Sequence, residues 1–545
     1  MTENTKNRFP LLVLLLSIAV QLGVLFYIFN PAIYFYKYWE LALRLRGIIF
    51  PPVEVFYSSP FYICFLAFSQ GMGLNYLHIQ IIQVLLGALN CWLIYRAGII
   101  FFSRPVGIIA SLMTVFYGPF IIYNSSFLPA VWVITFNLVS IICLGNCIKK
   151  RKTGWLIGAG FFIGLSIITR PNIALFLLLL VPWLIANWWS GFSRIRQYDG
   201  LPRSGQSQSG LEGPPTGRRP ADEKWGARLR HFFFLLLPIF LVILPVAGFN
   251  YHESGEFIPV TASGGWVFYC SNNDRVKGFD FSPPLEINDR ISDYYAAPGK
   301  EKLSYLEHIL SREIARERTG DSLSHQGGSS FWFKEGMVFI REHPGAYLKL
   351  LGKKALSALN GYEPHDVPEV MARATRLKSY PLIGFAVLLP LALLGLIIAR
   401  PRFGGGILYL YLASYLISFL IMYVIPRFRL PAVPVLLLFG SAAVLKLYNL
   451  IREKQWPGLI RNIFILILLA ILVNIGTPDI KRDSEVVRPA FFHEWKGLTA
   501  MKSKEWKEAG EEFRKALELN PQSYQARQGL ELAGERLKSG GEEVP

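Results

Sequence analysis

The residues whose types and positions could do chemistry are a small set of charges and polar groups at the ends of apolar stretches. Arg170 stands in Thr169-Arg-Pro-Asn172, and Arg427 and Arg429 stand in Pro426-Arg-Phe-Arg-Leu-Pro431. An ionisable side chain beside hydrocarbon is costly, so those that occur there mark function. A planar guanidinium forms two parallel hydrogen bonds to a phosphate, and the expectation is that Arg170, Arg427 and Arg429 contact one. The bland alternatives are snorkelling to the interface or pairing with a loop carboxylate. Between Asn30 and Pro60 run the aromatics Tyr34, Tyr36, Tyr38, Trp39 and Tyr57, followed by Tyr62. An interfacial aromatic belt accounts for much of this, and stacking on sugar rings is the sharper reading. Glu40 and Glu54 are the carboxylates of the same stretch. A carboxylate can take the proton of an acceptor hydroxyl, as glycosyl transfer requires. Glu40 lies four residues before Arg44 and is expected to pair with it. Glu54 is therefore the better candidate base. Asn272, Asn273 and Asp274 offer polar groups for sugar hydroxyls, or form an ordinary turn. His252, Glu253 and Glu256 lack a further strong ligand, so no metal site is assigned. No P-loop, dinucleotide-binding glycine pattern, HExxH or nucleophile elbow occurs.

The elements that position these groups are read from the apolar pattern. Of 545 residues, 52% are hydrophobic and 17% charged, against about 25% charged in soluble domains. The apolar residues fall in blocks of roughly 20, which lipid forces into helices because it offers the backbone no hydrogen-bond partners. The blocks are Leu11–Phe29, Leu77–Ile100, Val106–Tyr123, Leu128–Cys147, Trp155–Ile168, Ile173–Trp189, Phe232–Phe249, Leu382–Ala399, Ile407–Ile425, Ala432–Tyr448 and Leu459–Ile475. The expected fold is mainly α, a polytopic membrane protein with about eleven transmembrane helices. Leu11–Phe29 is too long for a signal sequence and is expected to be retained.

Charge in the loops orients the expected bundle. Lys149–Lys152, Arg194–Arg230, Arg400–Arg402 and Arg452–Arg461 fall on one side, with Lys6, Arg8, Arg96 and Arg104. That side is expected to be cytoplasmic, which puts the long loop and the C-terminal tail outside. The same bias explains the net charge of +18 without nucleic acid, since no basic stripe or stacking pattern accompanies it. The five cysteines form no disulfide framework and read as small buried hydrophobes.

Between the spans, Tyr38–Gly47 is amphipathic, with Leu41, Leu45 and Ile48 opposite Arg44 and Arg46. It is expected to lie flat at the interface. Phe61–Gly71 reads as a second interfacial or re-entrant piece. Residues 199–224 are rich in Gly, Pro and Ser and read as a flexible linker. In the loop, Gly255–Tyr269 is expected to form a short strand or turn, and Lys302–Arg318 and Phe331–His343 helices. The expected division is a transmembrane module over 1–250, a loop domain over 251–380, transmembrane helices over 381–476 and a helical tail over 490–540. In the tail, Gly497, Ala500, Ala509, Phe513, Ala516 and Pro521 follow tetratricopeptide spacing, with Tyr524–Leu537 as a capping helix. A single repeat rarely stands alone, so the tail is expected to dock on the loop or on a partner.

From about Leu11 to Leu450 the chain resembles bacterial GT-C fold glycosyltransferases, near family 39, the aminoarabinose transferases and the protein O-mannosyltransferases. The marks are Tyr57–Tyr62 (YSSPFY), Gln83 with Gly87, Gly164–Asn172 (GLSIITRPN), Gly255–Pro259 (GEFIP), Asn272–Asp274, Arg341–Tyr347 (REHPGAY) and Pro426–Pro431 (PRFRLP). The resemblance implies transfer of a sugar from a polyprenyl-phosphate carrier to a protein, lipid or glycan acceptor at the outer face of a bacterial cytoplasmic membrane. The implied partners are that donor, membrane lipids and a protein held by the tail, with no nucleic acid. No cofactor is assigned, although a divalent cation is left open. Such enzymes carry an acidic base in the first outer loop before a Tyr-x-x-x-Ala pair, which Tyr38 and Ala42 match. Tyr34 stands where the acid is expected, and Asn124 where a second acid is often found. The pocket is accordingly expected from Tyr34, Tyr38, Tyr57, Tyr62, Asn124, Asn272, Asn273 and Asp274. Either Glu54 or Glu40 substitutes as base, or the chain is a catalytically inactive lipid-binding scaffold that recruits partners through its tail. A transporter would show inverted repeats and broken helices at the bilayer midplane, and neither is seen.

Overall fold

The computed structural model describes residues 3–29, 36–150, 152–198, 221–278, 281–296, 305–364, 367–402, 404–502, 505–521 and 523–538. Among them the architecture is helical, with one isolated β-bridge, Tyr117 to Ile383. Six helices are long and apolar enough to cross a membrane: Phe9–Ile28, Tyr76–Phe101, Ala130–Lys150, Arg230–Ser254, Pro426–Arg452 and Trp456–Val473. Five shorter apolar helices, Arg104–Val115, Gly154–Thr169, Pro171–Ala186, Phe385–Ile398 and Gly406–Ile421, lie in the remaining expected blocks. The chain is thus a multi-pass membrane protein.

Local chemistry sets the helix ends. Asn75 caps Tyr76–Phe101, its side chain accepting from Leu77 N at 3.0 Å and His78 N at 3.3 Å. Gly320, at φ 73°, ends Leu306–Thr319 in the left-handed region that glycine adopts without strain. Close packing depends on absent side chains. A Cβ at Gly160 would lie 2.2 Å from Leu235 O, so glycine lets helix Gly154–Thr169 seat directly on helix Ala221–Ser254.

One expectation is overturned, and two are met or tested only in part. Val106–Tyr123 is not one helix but two, Arg104–Val115 and Gly118–Ser125. The break is held by backbone exchange with the start of another span, Gly118 N to Ile383 O and Ile383 N to Phe116 O, both at 2.9 Å. Pro119, in the first turn of the second piece, is compatible with a restart there. Gly255–Tyr269 holds no strand. It turns and enters helix Gly264–Ser271, because Gly265 lets that helix approach Ser329, whose carbonyl would be 1.7 Å from an added Cβ. The linker expected over 199–224 lies outside the described residues as far as 220, and Ala221 opens a helix that runs to Ser254.

The insertion after Ser254 has its own small core of Trp266, Cys270, Ile287, Leu306, Leu310, Ile314 and Trp332. The tail helices Arg488–Lys502, Trp506–Leu519 and Tyr524–Lys538 close around Phe513. Added Cβ atoms at Gly497 and Gly529 would fall 2.8 and 2.4 Å from its ring. The tail is tied to the insertion by Tyr362 Oη donating to Asp483 at 2.8 Å and by Lys353 to Asp479 at 2.9 Å.

Helix Pro368–Leu377 packs on helix Gly118–Ser125 and reaches the end of the first helix, where Arg376 donates to Ile28 O at 3.1 Å. Its Glu369–Arg373 pair, at 2.8 Å, is buried at 2% and 3% exposure, and Arg373 stacks on Phe29 at 4.9 Å. Removing one partner strands a buried charge, which costs about 3–5 kcal/mol, whereas replacing both with apolar groups can be neutral. Glu369→Ala should therefore lower the thermal unfolding midpoint in detergent sharply, and Glu369→Leu with Arg373→Met should recover most of the loss.

Candidate functional site

Helix Tyr36–Leu45 is not a surface helix with a wet basic face. Arg44 is 1% exposed and pairs with Glu40 at 2.9 Å, as the i,i+4 spacing expects. It also donates to Phe50 O and to Pro51 O, and its guanidinium faces the Tyr305 ring at 5.5 Å. Glu40 is thereby held as a structural partner of Arg44. The helix instead directs Lys37 into a cavity of about 110 Å³, lined also by Glu54, Tyr57, His308, Arg312 and His325.

Lys37 makes no hydrogen bond among the described residues. Burial drives its ammonium below the usual lysine range, with Glu307 and Glu40 opposing and Arg427 reinforcing the shift. Burial raises Glu307 above the usual carboxylate range against the pull of Lys37 and of Trp266 Nε1, which donates to it at 2.9 Å. Arg427 belongs equally to Arg170, whose Nη1 donates to the Arg427 carbonyl at 2.8 Å. Both guanidinium groups lie over the Phe428 ring, at 4.6 Å for Arg170 and 5.4 Å for Arg427. Arg427 therefore stands between Lys37, on which its charge acts, and Arg170, with which it shares Phe428; of the three cations Lys37 lines the cavity itself. A group of this kind is suited to an anion, which relieves the repulsion between the cations.

Arg429 is not part of that cluster. It is 3% exposed and points away, donating to Asn360 O at 2.7 Å and Tyr362 O at 2.5 Å while its guanidinium covers Phe385. It clamps the insertion to the membrane helices.

The cavity's opposite wall is carried by Tyr57, which stacks on His308 at 4.5 Å and bonds His325 Nδ1 at 2.7 Å. Burial takes Tyr57 up to about 12, and burial with Lys37 takes His308 down to about 3. Glu54 stands at the rim, 60% exposed, 3.3 Å from His325 Nε2. Glu256 joins from the segment after helix Ala221–Ser254, accepting from His325 N and Gln326 N at 2.8 Å each.

The other sequence candidates lie elsewhere. Tyr34 is outside the described residues. Tyr38 and Tyr62 meet edge to face at 5.2 Å, and Tyr62 donates to Gln83 at 2.7 Å. Asn124 is buried in helix Gly118–Ser125, donating to Gln21 at 2.9 Å. Asn272 donates to Phe268 O and Ile421 O and accepts from Lys354 at 2.8 Å. Asn273 serves Tyr269 O and Ser282 O, and Asp274 is exposed in the turn that follows. Among the described residues no group of three or more His, Cys, Asp or Glu side chains is placed to hold a metal ion. Sequence reasoning missed Lys37, Glu307, His308, Arg312 and His325. Lys37 alone carried a local signal, as the single cation within a run of aromatics.

Residues 58–198 match the family model described as dolichyl-phosphate-mannose-protein mannosyltransferase. Over that stretch the resemblance to GT-C glycosyltransferases is borne out. No curated protein sequence matches. Among solved structures, the chain is similar to the apo oligosaccharyltransferase of Archaeoglobus fulgidus, at 12% identity and a TM-score of 0.42. The match covers 92% of this chain and 60% of the archaeal one. A form of that enzyme tethered to an acceptor peptide gives 12% identity and a TM-score of 0.38, covering 92% and 59%. The chain thus spans about 60% of the length of that oligosaccharyltransferase. The chain is a multi-pass membrane protein, residues 58–198 of which match a mannosyltransferase family model.

Two measurements check the site. Arg429→Ala should destabilise the protein by about 3 kcal/mol or more, since a hydrogen bond involving a charged group contributes about 1.5–3 kcal/mol. Thermal unfolding of the variant tests this. His308 bears on acid stability: its folded value of about 3 lies below the ordinary imidazole value of 6.5. As pH falls below about 6.5 the unfolded chain takes up a proton that the folded state refuses, so stability drops toward pH 3. His308→Phe should flatten the unfolding midpoint between pH 7.5 and pH 5.

Proposed function

We propose that this protein is a membrane glycosyltransferase that moves a sugar from a polyprenyl-phosphate carrier to an acceptor hydroxyl at the outer face of a bacterial cytoplasmic membrane. The observation that carries the reading is the cluster of Lys37, Arg170 and Arg427 beside a cavity rimmed by Glu54. The cluster takes the carrier phosphate, and the cavity takes the sugar. A volume of about 110 Å³ is small against the several hundred Å³ of a drug-sized ligand site, so it suits one sugar rather than an extended glycan.

The reaction then runs by displacement. The acceptor oxygen attacks the anomeric carbon, the bond from that carbon to the phosphate oxygen breaks, and Glu54 takes the hydroxyl proton. The cations stabilise the phosphate that leaves with the polyprenol. The description of the matched family names a dolichyl-phosphate-mannose donor and a protein acceptor, which supports both the carrier and a protein as acceptor. In this reading the insertion and tail lie on the extracytoplasmic side of the membrane, and the tail, as a tetratricopeptide-like unit, brings a protein partner to the site.

A second reading, an inactive lipid-binding scaffold, draws support from the exposure of Glu54 and from the engagement of Glu40 with Arg44. Release of polyprenyl phosphate from a panel of polyprenyl-phosphate sugars, by the purified protein in lipid discs, separates the two. Glu54→Gln should slow release by about 100-fold to 10,000-fold, the usual contribution of a general base. Arg170→Ala should chiefly raise KM for the donor. Undiminished release from Glu54→Gln would remove Glu54 as base, and no release with any donor and acceptor would favour the scaffold.

A further inference from the structure

We propose that helix Pro344–Ala358 seats the insertion on the bilayer, its exposed leucine stripe lying among the lipids of the leaflet in which the span Trp456–Val473 ends. Leu348, Leu356 and Leu359, the last at the helix end, are 68%, 59% and 44% exposed. At about 3.6 residues per turn, Leu348, Gly352, Leu356 and Leu359 fall within about 80° of one another around the axis, so they form one face. Gly352 is exposed and leaves the stripe smooth, and Lys349 is exposed at its edge. A cation flanking an apolar face is the pattern of helices that rest at the boundary of headgroups and acyl chains.

The opposite face is committed to protein. Leu350, Lys354 and Ala358 are buried. Lys354 Nζ donates to Asn272 Oδ1 at 2.8 Å and to Leu420 O at 3.1 Å, and Leu420 belongs to the apolar helix Gly406–Ile421. Lys353 pairs with Asp479 at 2.9 Å, beyond the end of the last span. The helix is thus fixed on one side and bare and apolar on the other.

What covers the bare side follows from what adjoins it. Directly after Leu359 the chain is bonded to the end of the last span, Asn360 Nδ2 to Ile475 O and Gly361 N to Val473 O, both at 2.9 Å. Ile471, Leu472 and Ile475 at that end are each more than half exposed, as a span facing hydrocarbon requires. The leucine stripe continues that lipid-facing surface, and three leucines left in water would forgo the free energy that burial of apolar surface supplies. The interfacial place that the pattern of Tyr38–Gly47 suggested therefore falls to this helix, while Tyr36–Leu45 is held inside the protein by its Glu40–Arg44 pair. Helix His325–Glu342, whose first residue lines the cavity, leads into Pro344–Ala358 through His343. The seat therefore fixes where that wall of the cavity stands relative to the lipid.

The test uses the full chain in lipid discs, with nitroxide labels on single introduced cysteines and the exposed native thiol, Cys64, replaced by serine. Leu348→Cys and Leu356→Cys report on the stripe. Ile467→Cys, on the exposed side of the last span, marks lipid, and Asp321→Cys, in an exposed turn of the insertion, marks water. Molecular oxygen concentrates in the bilayer, whereas a polar nickel chelate stays in water. At both leucine positions oxygen should raise the relaxation rate by about twofold or more over the chelate, as a face resting at the acyl-chain boundary requires. The order should reverse at Asp321→Cys. Chelate access at both leucine positions matching that at Asp321→Cys would put the stripe in water and overturn the proposal. Low access to both reagents would mean that a protein surface covers it, and would overturn the proposal equally. Leu359→Cys supplies a third position on the same face should one label unfold the chain. None of these readouts needs turnover, so the inference is decided whether or not the glycosyltransferase reading holds.

Discussion

Like charges crowded at the margin of a low-dielectric bundle repel one another, and that repulsion organises the region around the cavity. Lys37, Arg170 and Arg427 come from three separate parts of the chain. Their company is tolerated because each charge has some return. Arg170 gains the Arg427 carbonyl and the face of Phe428, Arg427 shares that face, and Lys37 has Glu307 nearby. Even so Lys37 is driven toward its neutral form, so an incoming phosphate would gain Coulomb energy that the protein alone does not supply. An anion is the natural complement of such a group, and a lipid-linked phosphate is the anion a membrane-embedded chain would meet.

The surrounding architecture fixes those three positions. The Glu40–Arg44 pair and the backbone carbonyls it reaches anchor helix Tyr36–Leu45, which sets Lys37. Gly160 seats helix Gly154–Thr169 directly against its neighbour, and Arg170 follows at its end. Arg429 fastens the segment that carries Arg427 to Asn360 and Tyr362 of the insertion. Tyr362 in turn holds Asp483 at the start of the tail. The insertion, the membrane helices and the tail are therefore joined through Arg429 and Tyr362.

Much of this was legible in the sequence wherever a physical demand is local. Lipid requires a helix of each apolar block, and each block holds helix. The Glu40–Arg44 pair follows from helical spacing. Arg170 and Arg427 were visible as charges that a membrane does not tolerate idly. The break at Tyr117 was hidden, because a proline in the first turn of a helix looks the same whether the chain restarts there or runs on. Arg429 was legible as a charge but not as a clamp, since its partners lie more than sixty residues upstream. The cavity's second wall was illegible for the same reason: Tyr57 meets His325 across 268 residues of sequence. Asn272 carries polar groups that could serve a sugar, yet the fold commits them to Lys354 and to backbone carbonyls.

The central claim is that the cationic cluster holds a lipid-linked phosphate. The most direct measurement is a phosphorus-31 NMR titration of a short-chain polyprenyl phosphate into the protein in lipid discs. The account predicts a saturable shift for the wild type, weakened by added salt and lost when Lys37 and Arg427 are both replaced by alanine in a protein that remains folded. A shift that persists unchanged in that double variant would contradict it, and would place the phosphate somewhere other than beside the Glu54 cavity.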